Sequence, residues 1–322
     1  YQQDYGIEVT PAEVLITAGG KHALFNAALA LVDPGDEVIT HAPYWPTIPE
    51  QVKLMGGMPV VVSTRSSDGF RVHADAVIGA MSPRTKAIIL NSPGNPTGAL
   101  IGEDDVAAIA GAAAANGIWV IVDLCYERLI YEAVPHNLPK ILFERLRDRT
   151  VIAGSASKAY AMTGWRCGWT IAPKELTAAF NVIQGQSTSN ISSITQKAAL
   201  AAVSGSQDAV TAMRDEYRRR RDSIHAWLTE HPGIRCAKPK GAFYLFPDIS
   251  RLLSPDGVAT SADFAQALLE KEHVVVTPGE AFGAPGYLRI SYATSMEQLR
   301  EGATRILRFA ESLQPARATA SH

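Results

Sequence analysis

Up to about residue 210, short runs of Val, Ile and Leu alternate with longer stretches whose apolar positions return every three or four residues. "EVLIT" (13–17) precedes "GGKHALFNAALALVD" (19–33). "DEVIT" (36–40) and "PVVVST" (59–64) bracket "IPEQVKLMGG" (48–57). "TKAIIL" (85–90) leads to "EDDVAAIAGAAAANG" (103–117), where Asn116-Gly117 reads as a helix stop. "IWVIVD" (118–123), "TVIAGSAS" (150–157) and "CGWTIA" (167–172) follow. Continuous Val/Ile runs, rather than strict alternation, predict strands buried on both faces. A βαβα order predicts a mostly parallel sheet covered by helices, an α/β fold. Ligands of such sheets sit beyond the carboxyl ends of the strands, so the residues that follow each strand carry the interest.

The pattern changes after about residue 210. "DAVTAMRDEYRRRRDSIHAWLTEH" (208–231) predicts one long amphipathic helix. Then come "GAFYLFPDI" (241–249), a helix over "SADFAQALLEKEH" (261–273), "VVVTPG" (274–279), "YLRISYA" (287–293) and a last helix over "SMEQLREGATRILRFAESL" (295–313). This divides the chain into a large domain, 1–210, and a smaller α+β domain, 211–322. The tail "QPARATASH" (314–322) is expected to fray. The run Arg218 to Arg221 has acidic neighbours Asp215, Glu216 and Asp222 and reads as a solvated helix face rather than an anion patch.

Composition narrows the picture. The chain has 322 residues, 47% apolar and 19% charged, enough for a sizeable core. A net charge of -2 offers no field for nucleic acid. The three cysteines, Cys125, Cys167 and Cys236, form no CxxC pair. Neither a disulfide framework nor a metal site is expected, and a reducing cytoplasm fits. No apolar run is long enough for a membrane span, and no signal peptide opens the chain. The opening "YQQDYGIEVTPAEV" begins with Tyr1 and reads as the interior of something longer.

The densest chemistry lies in "SASKAYAMTGWRCGW", Ser155 to Trp169. A lysine becomes a nucleophile when desolvation and nearby cations hold part of it neutral. Lys158 follows a strand, with Ser155, Ser157 and Arg166 close in sequence. Hydroxyls and a forked guanidinium suit a phosphate, and the amine suits a carbonyl. An aldehyde that carries a phosphate describes pyridoxal phosphate.

This stretch resembles the cofactor-attachment signature of the class I aminotransferases, pyridoxal-phosphate enzymes of fold type I. The spacing of hydroxyl residue, Ser-Lys, Gly-Trp-Arg and Gly is specific. Other motifs of that family occur in order. "NSPGNPTG" (91–98) is similar to its Asn-Pro loop, which implies that Asn95 bonds the cofactor's phenolic oxygen; alone, this is an ordinary turn. "VDLCYE" (122–127) implies that Asp123 pairs with the ring nitrogen and that Tyr126 donates to the phenolic oxygen. An Asp at a strand end is otherwise often a helix cap. "TAGGKHALFN" (17–26) implies a phosphate turn at Gly19, Gly20 and Lys21, on a helix N-terminus suited to anions. "APYWPT" (42–47) implies that Trp45 stacks on the ring. "GYLRISYATS" (286–295) implies that Arg289 clamps the substrate α-carboxylate, and its alternation with Leu288 and Ile290 turns it to the opposite face of a strand.

The resemblance runs from about Ile7 to the last helix. It implies transamination between an L-amino acid, aspartate above others, and a 2-oxo acid such as 2-oxoglutarate, through a Schiff base on Lys158. It also implies a homodimer. In the subgroup resembling bacterial aspartate aminotransferases, a lysine at the position of Lys21 approaches the distal carboxylate of the substrate. Aromatic or alanine aminotransferases and C–S β-lyases share these motifs, with Lys21 and the stretch Gln184 to Ser193 as the discriminating features. An inactive pyridoxal-phosphate-binding module is the alternative of another class. Family members begin with a segment that carries a glycine turn and a tyrosine reaching the partner subunit. The expectation is that the chain lacks this segment and part of the dimer interface.

Overall fold

The computed structural model describes residues 1–255 and 257–313. Seven strands form the main sheet: β1 (Val14–Thr17), β2 (Glu37–Ala42), β3 (Met58–Ser63), β4 (Thr85–Asn91), β5 (Trp119–Asp123), β6 (Thr150–Ser155) and β7 (Gly168–Ile171). Their order is β1-β7-β6-β5-β4-β2-β3. β2 pairs in parallel with β3 and β4, β4 with β5, and β5 with β6. β7 alone runs against its neighbours, β6 and β1. The expected mostly parallel sheet is therefore present, with one reversed strand.

Parallel neighbours need crossovers, and helices supply them. The helices are α1 (Gln2–Tyr5), α2 (Gly20–Leu31), α3 (Thr47–Leu54), α4 (Ala74–Gly79), α5 (Glu103–Asn116), α6 (Leu138–Leu146), α7 (Ala156–Ala159), α8 (Lys174–Ser187) and α9 (Ser193–Ser204). α5 stops as expected: Gly117 is left-handed at φ 66°, and its N–H closes on the carbonyls of Ala113 and Ala114.

One face of the sheet packs on Val77, Val106, Ile109, Leu138 and Leu142 of α4, α5 and α6. The other packs on Leu24, Ile48, Val52 and Phe180 of α2, α3 and α8. β2 and β6 are buried at every residue, because helices cover both faces. β3 departs from that expectation despite its Val run: it is the sheet edge, and Met58 and Val61 are exposed.

The remaining elements are α10 (Asp208–Thr229), β8 (Tyr244–Leu245), α11 (Ser261–Glu272), β9 (Thr277–Pro278), β10 (Leu288–Ser291) and α12 (Met296–Ser312). The three strands form an antiparallel sheet, β8-β10-β9. They share a core with Ile224 and Leu228 of α10, Phe264 and Leu268 of α11, and Leu299, Ile306 and Phe309 of α12. The boundary expected at 210/211 falls within the first turn of α10. The tail 314–322 lies outside the described residues. No helix among the described residues is long and apolar enough to cross a membrane.

Two loops from the carboxyl edge of the large sheet are stitched to this second core. Tyr126, Leu129 and Tyr131, just after β5, are members of it. The Gly98 carbonyl accepts from the N–H groups of Lys240 and Gly241, each at 3.0 Å. Gly98 has φ +66°, and a side chain there would run into Pro239 and the Gly241 carbonyl. That close approach explains the glycine that ends "NSPGNPTG".

The arginine run divides. Arg218 and Arg219 pair along the exposed face with Asp215 and Glu216. Arg221 does not belong to a solvated face: its side chain is 3% exposed. It donates to Glu132 at 3.0 Å and to the Pro239 carbonyl at 2.8 Å, and lies 4.9 Å from the Tyr131 ring centroid. Helical periodicity rotates it inward, where it joins α10 to the segments at 131–132 and 239. Arg221→Leu is therefore expected to lower unfolding stability by about 1–3 kcal/mol, since it leaves the buried Pro239 carbonyl without its donor. Arg219→Ala should cost under about 1 kcal/mol. Urea unfolding midpoints of the two variants test this, and equal losses would refute the distinction.

Candidate active site

The residues that follow β1, β4, β5 and β6 converge on one cavity of about 350 Å³. Of the side chains expected from the sequence, Lys21, Trp45, Asn95, Asp123, Tyr126, Ser155, Ser157, Lys158, Arg166 and Arg289 line it, together with Gly20.

β6 ends at Ser155, whose Oγ caps α7 by accepting the Ser157 N–H at 3.1 Å. This single turn presents Lys158, one turn beyond the strand rather than on its last residue. The Lys158 Nζ lies 5.5 Å from the Phe243 ring centroid and 6.0 Å from that of Tyr126.

Arg166 has a left-handed backbone, φ 55°. Its Nη1 donates to the Thr163 carbonyl at 2.9 Å and its Nη2 to the Ala18 carbonyl at 3.1 Å. Gly19, with φ +89°, is not among the lining residues. Instead it clears a place for the guanidinium, which any side chain at this position would strike. Gly20 and Lys21 then open α2 with N–H groups at its positive end. Gly20, Ser155, Ser157, Thr163 and Arg166 together make a wall suited to an anion.

Asp123 closes β5 and is 4% exposed. One carboxylate oxygen accepts the Cys125 N–H at 3.0 Å. Burial pushes its carboxyl up to about 6, against that single hydrogen bond pulling it down. A buried carboxylate of this kind is costly until a cation or proton donor meets it.

Tyr126 is also buried, and its hydroxyl is 2.9 Å from that of Tyr244. Asn95 is held by its own N–H, which donates to Asn91 Oδ1 at 2.8 Å, while Asn91 Nδ2 donates to the Asp123 carbonyl at 3.3 Å. Asn91 thus ties the ends of β4 and β5 together. Asn95 Oδ1 accepts from Arg289 Nη1 at 3.0 Å. The guanidinium of Arg289 lies 4.6 Å from the Tyr244 ring centroid and 4.9 Å from that of Phe282. Leu288 and Ile290 on either side are buried in the second core, as alternation along β10 requires. Lys21 Nζ sits 5.0 Å from the Trp45 ring centroid.

Sequence reasoning missed Cys125, Thr163 and Tyr244, which also line the cavity. Cys125 and Thr163 lie inside the quoted motifs, so a signal was present. Tyr244 sits in "GAFYLF", which carries only a strand signal. The stretch Gln184 to Ser193 contributes nothing to the lining. Its Gln184 is buried elsewhere, donating to the Ile16 carbonyl at 2.9 Å and accepting from Asn26 at 3.3 Å, which fastens α8 to α2 and β1.

The cavity therefore combines an amine, an anion seat, a buried acid and a guanidinium within one small volume. Residues 1–306 match the family described as Aminotransferase class I and II. The aspartate aminotransferase of Streptomyces avermitilis is 44% identical over 309 residues, covering 94% of this chain and 76% of that one. The aspartate aminotransferase of Geobacillus stearothermophilus is 42% identical over 312 residues, covering 97% and 79%. Among solved structures, the aspartate aminotransferase of Rhizobium meliloti superposes with a TM-score of 0.91 at 39% identity, covering 96% of this chain and 79% of that one. The motifs, the sheet order and these likenesses agree, and the chain belongs to the class I and II aminotransferase family.

Proposed function

We propose that the chain is a pyridoxal-phosphate-dependent aminotransferase acting on L-aspartate, with 2-oxoglutarate as the accepting oxo acid. The observation that carries this reading is the convergence of Lys158, Asp123, Arg166 and Arg289 on one cavity. The donor set fits the cofactor group by group. Its phosphate would meet Gly20, Lys21, Ser155, Ser157 and Arg166, its ring nitrogen Asp123, its phenolic oxygen Asn95 and Tyr126, its flat face Trp45, and its aldehyde Lys158. When bound, the group supplies an aldehyde that takes up the amino group and a ring that accepts the electrons released at the substrate Cα.

The chain's own residues do the rest. Arg289 grips the substrate α-carboxylate through two parallel hydrogen bonds, which fixes the direction of the Cα–H bond. With the cofactor bound, Lys158 would take the Cα proton as base and return it as acid two atoms along, across the amino nitrogen. Asp123 would hold the ring nitrogen of the bound cofactor in its protonated form. The cation it gains in return lowers its carboxyl from the raised value that burial alone produces. Lys21 meets the distal carboxylate of an acidic substrate. The oxo acid passes through the same groups in reverse, which predicts ping-pong kinetics.

The test is an absorbance spectrum of the purified chain with pyridoxal phosphate, before and after L-aspartate. The expected result is a visible band of lysine-linked cofactor that gives way to the near-ultraviolet band of the aminated form. A band that ignores every amino acid would leave a binding module only, and no band at all would remove Lys158 from its role. Lys21→Ala should weaken aspartate and glutamate about tenfold more than alanine, the worth of one charge-assisted hydrogen bond. Equal losses for the three would refute the contact with the distal carboxylate.

The same reading implies a homodimer, a cytoplasmic location, and a division into domains 1–210 and 211–322. The presence of two separate sheets supports the division, while Tyr126, Leu129 and Tyr131 of the first part pack into the core of the second.

A further inference from the structure

Tyr244 touches both ends of the site. Its hydroxyl is 2.9 Å from that of Tyr126, and its ring meets the Tyr126 ring edge-on, 5.9 Å between centroids at 78°. The other face of its surroundings is the Arg289 guanidinium, 4.6 Å from the same ring. β8 carries Tyr244 and pairs with β10 at Ser291, two residues past Arg289, so the two side chains are set by one small sheet. Tyr244 is only 7% exposed, and a phenol buried to that degree needs a partner for its hydroxyl.

The hydroxyl pair has a defined logic. Each phenol has one proton to give. When Tyr126 gives its proton to an acceptor in the cavity, its oxygen is left free to accept, and Tyr244 stands at donating distance. A donor that is itself receiving a hydrogen bond is the stronger donor. We propose that Tyr244 is a positioning residue: its hydroxyl aims and strengthens Tyr126 as donor to the phenolic oxygen of the bound cofactor, while its ring seats Arg289 for the substrate carboxylate. The proposal rests on the cofactor reading given above. The charged and titratable groups around the pair are Asp123 and Cys125 beside Tyr126, Lys158 on α7, Arg289 on β10 and Tyr217 on α10.

The direction of the effect follows from charge. Negative charge on the phenolic oxygen holds the proton on the neighbouring lysine-linked nitrogen, and a hydrogen bond donated to that oxygen drains the charge. A weaker Tyr126 donor therefore raises the pH at which the visible band titrates. Tyr244→Phe should move that midpoint upward by about half a pH unit. It should leave the dissociation constant of maleate, a non-reacting dicarboxylate, within about twofold, because the ring remains. Tyr244→Leu should in addition raise the maleate constant about tenfold, as the guanidinium loses its ring. In a Tyr126→Phe background, Tyr244→Phe should add nothing to the midpoint.

An unmoved midpoint in Tyr244→Phe, with a shifted one in Tyr126→Phe, would overturn this proposal and leave the cofactor reading standing. The same Tyr244→Phe shift with and without the Tyr126 hydroxyl would also overturn it, because the effect would not pass through Tyr126. A midpoint unmoved by Tyr126→Phe itself would remove both this proposal and the Tyr126 contact on which it depends.

Discussion

Lys158→Ala is expected to abolish the visible cofactor band and to lower turnover by at least about 10⁴-fold, with the fold intact. The size of the loss follows from two roles lost together. General acid–base catalysis by a placed side chain is worth about 10²–10⁴-fold, and covalent capture of the cofactor adds to it. The fold should survive because Lys158 lies in a single helical turn whose cap, Ser155 Oγ accepting from the Ser157 N–H, does not involve its side chain. Spectra and initial rates of the purified variant, beside its melting temperature, check the outcome. Substantial turnover in Lys158→Ala would mean that another amine serves.

Asp123→Asn should lower turnover by about 10²–10³-fold while making the cofactor-free chain more stable at alkaline pH. The first effect is the loss of a buried partner for a cationic ring nitrogen, worth about 3–5 kcal/mol. The second comes from linkage. Burial raises the Asp123 carboxyl from 3.8 to about 6 in the folded chain, so the folded state holds this proton more tightly than the unfolded one. The side chain costs nothing below the unfolded value, where both states are protonated. The cost develops as pH rises between the two values and reaches roughly 3 kcal/mol above them. Asn carries no such charge and still offers an oxygen to the Cys125 N–H. Urea midpoints without cofactor should favour the variant at pH 8 and converge toward pH 4. A variant less stable than the parent at pH 8 would show that Asp123 already has a charge partner. Stability given up for function is common at active sites, and the Asp123 carboxyl is one such cost.

Much of the site could be read before any fold was known, because its parts are local. Ser155, Ser157, Lys158 and Arg166 lie within one short stretch, and so do Asp123 and Tyr126. Each stretch follows a Val/Ile run. In a parallel sheet the residues after such runs come to the same edge, so motif order along the chain translates into neighbours in space. The helix stop at Asn116-Gly117 and the amphipathic character of α10 were legible for the same reason, since capping and periodicity act over a few residues.

What escaped was set by pairing between distant segments. The Val run of β3 has the composition of a buried strand, but sheet order leaves it on the edge with Met58 and Val61 in water. Arg221 has the sequence neighbours of a surface residue, but the packing of α10 against residues 131–132 and 239 buries it. Gly19 has the look of a phosphate turn, yet it serves as the gap into which Arg166 fits from far along the chain. Tyr244 carried no signal beyond strand propensity, and only the small sheet brings it between Tyr126 and Arg289. Residue identities and short-range spacing therefore determined the chemistry available to this chain. Which groups touch was decided by tertiary structure, since side chains over a hundred residues apart meet only once the sheets and their helices have assembled, and no local pattern encodes those contacts.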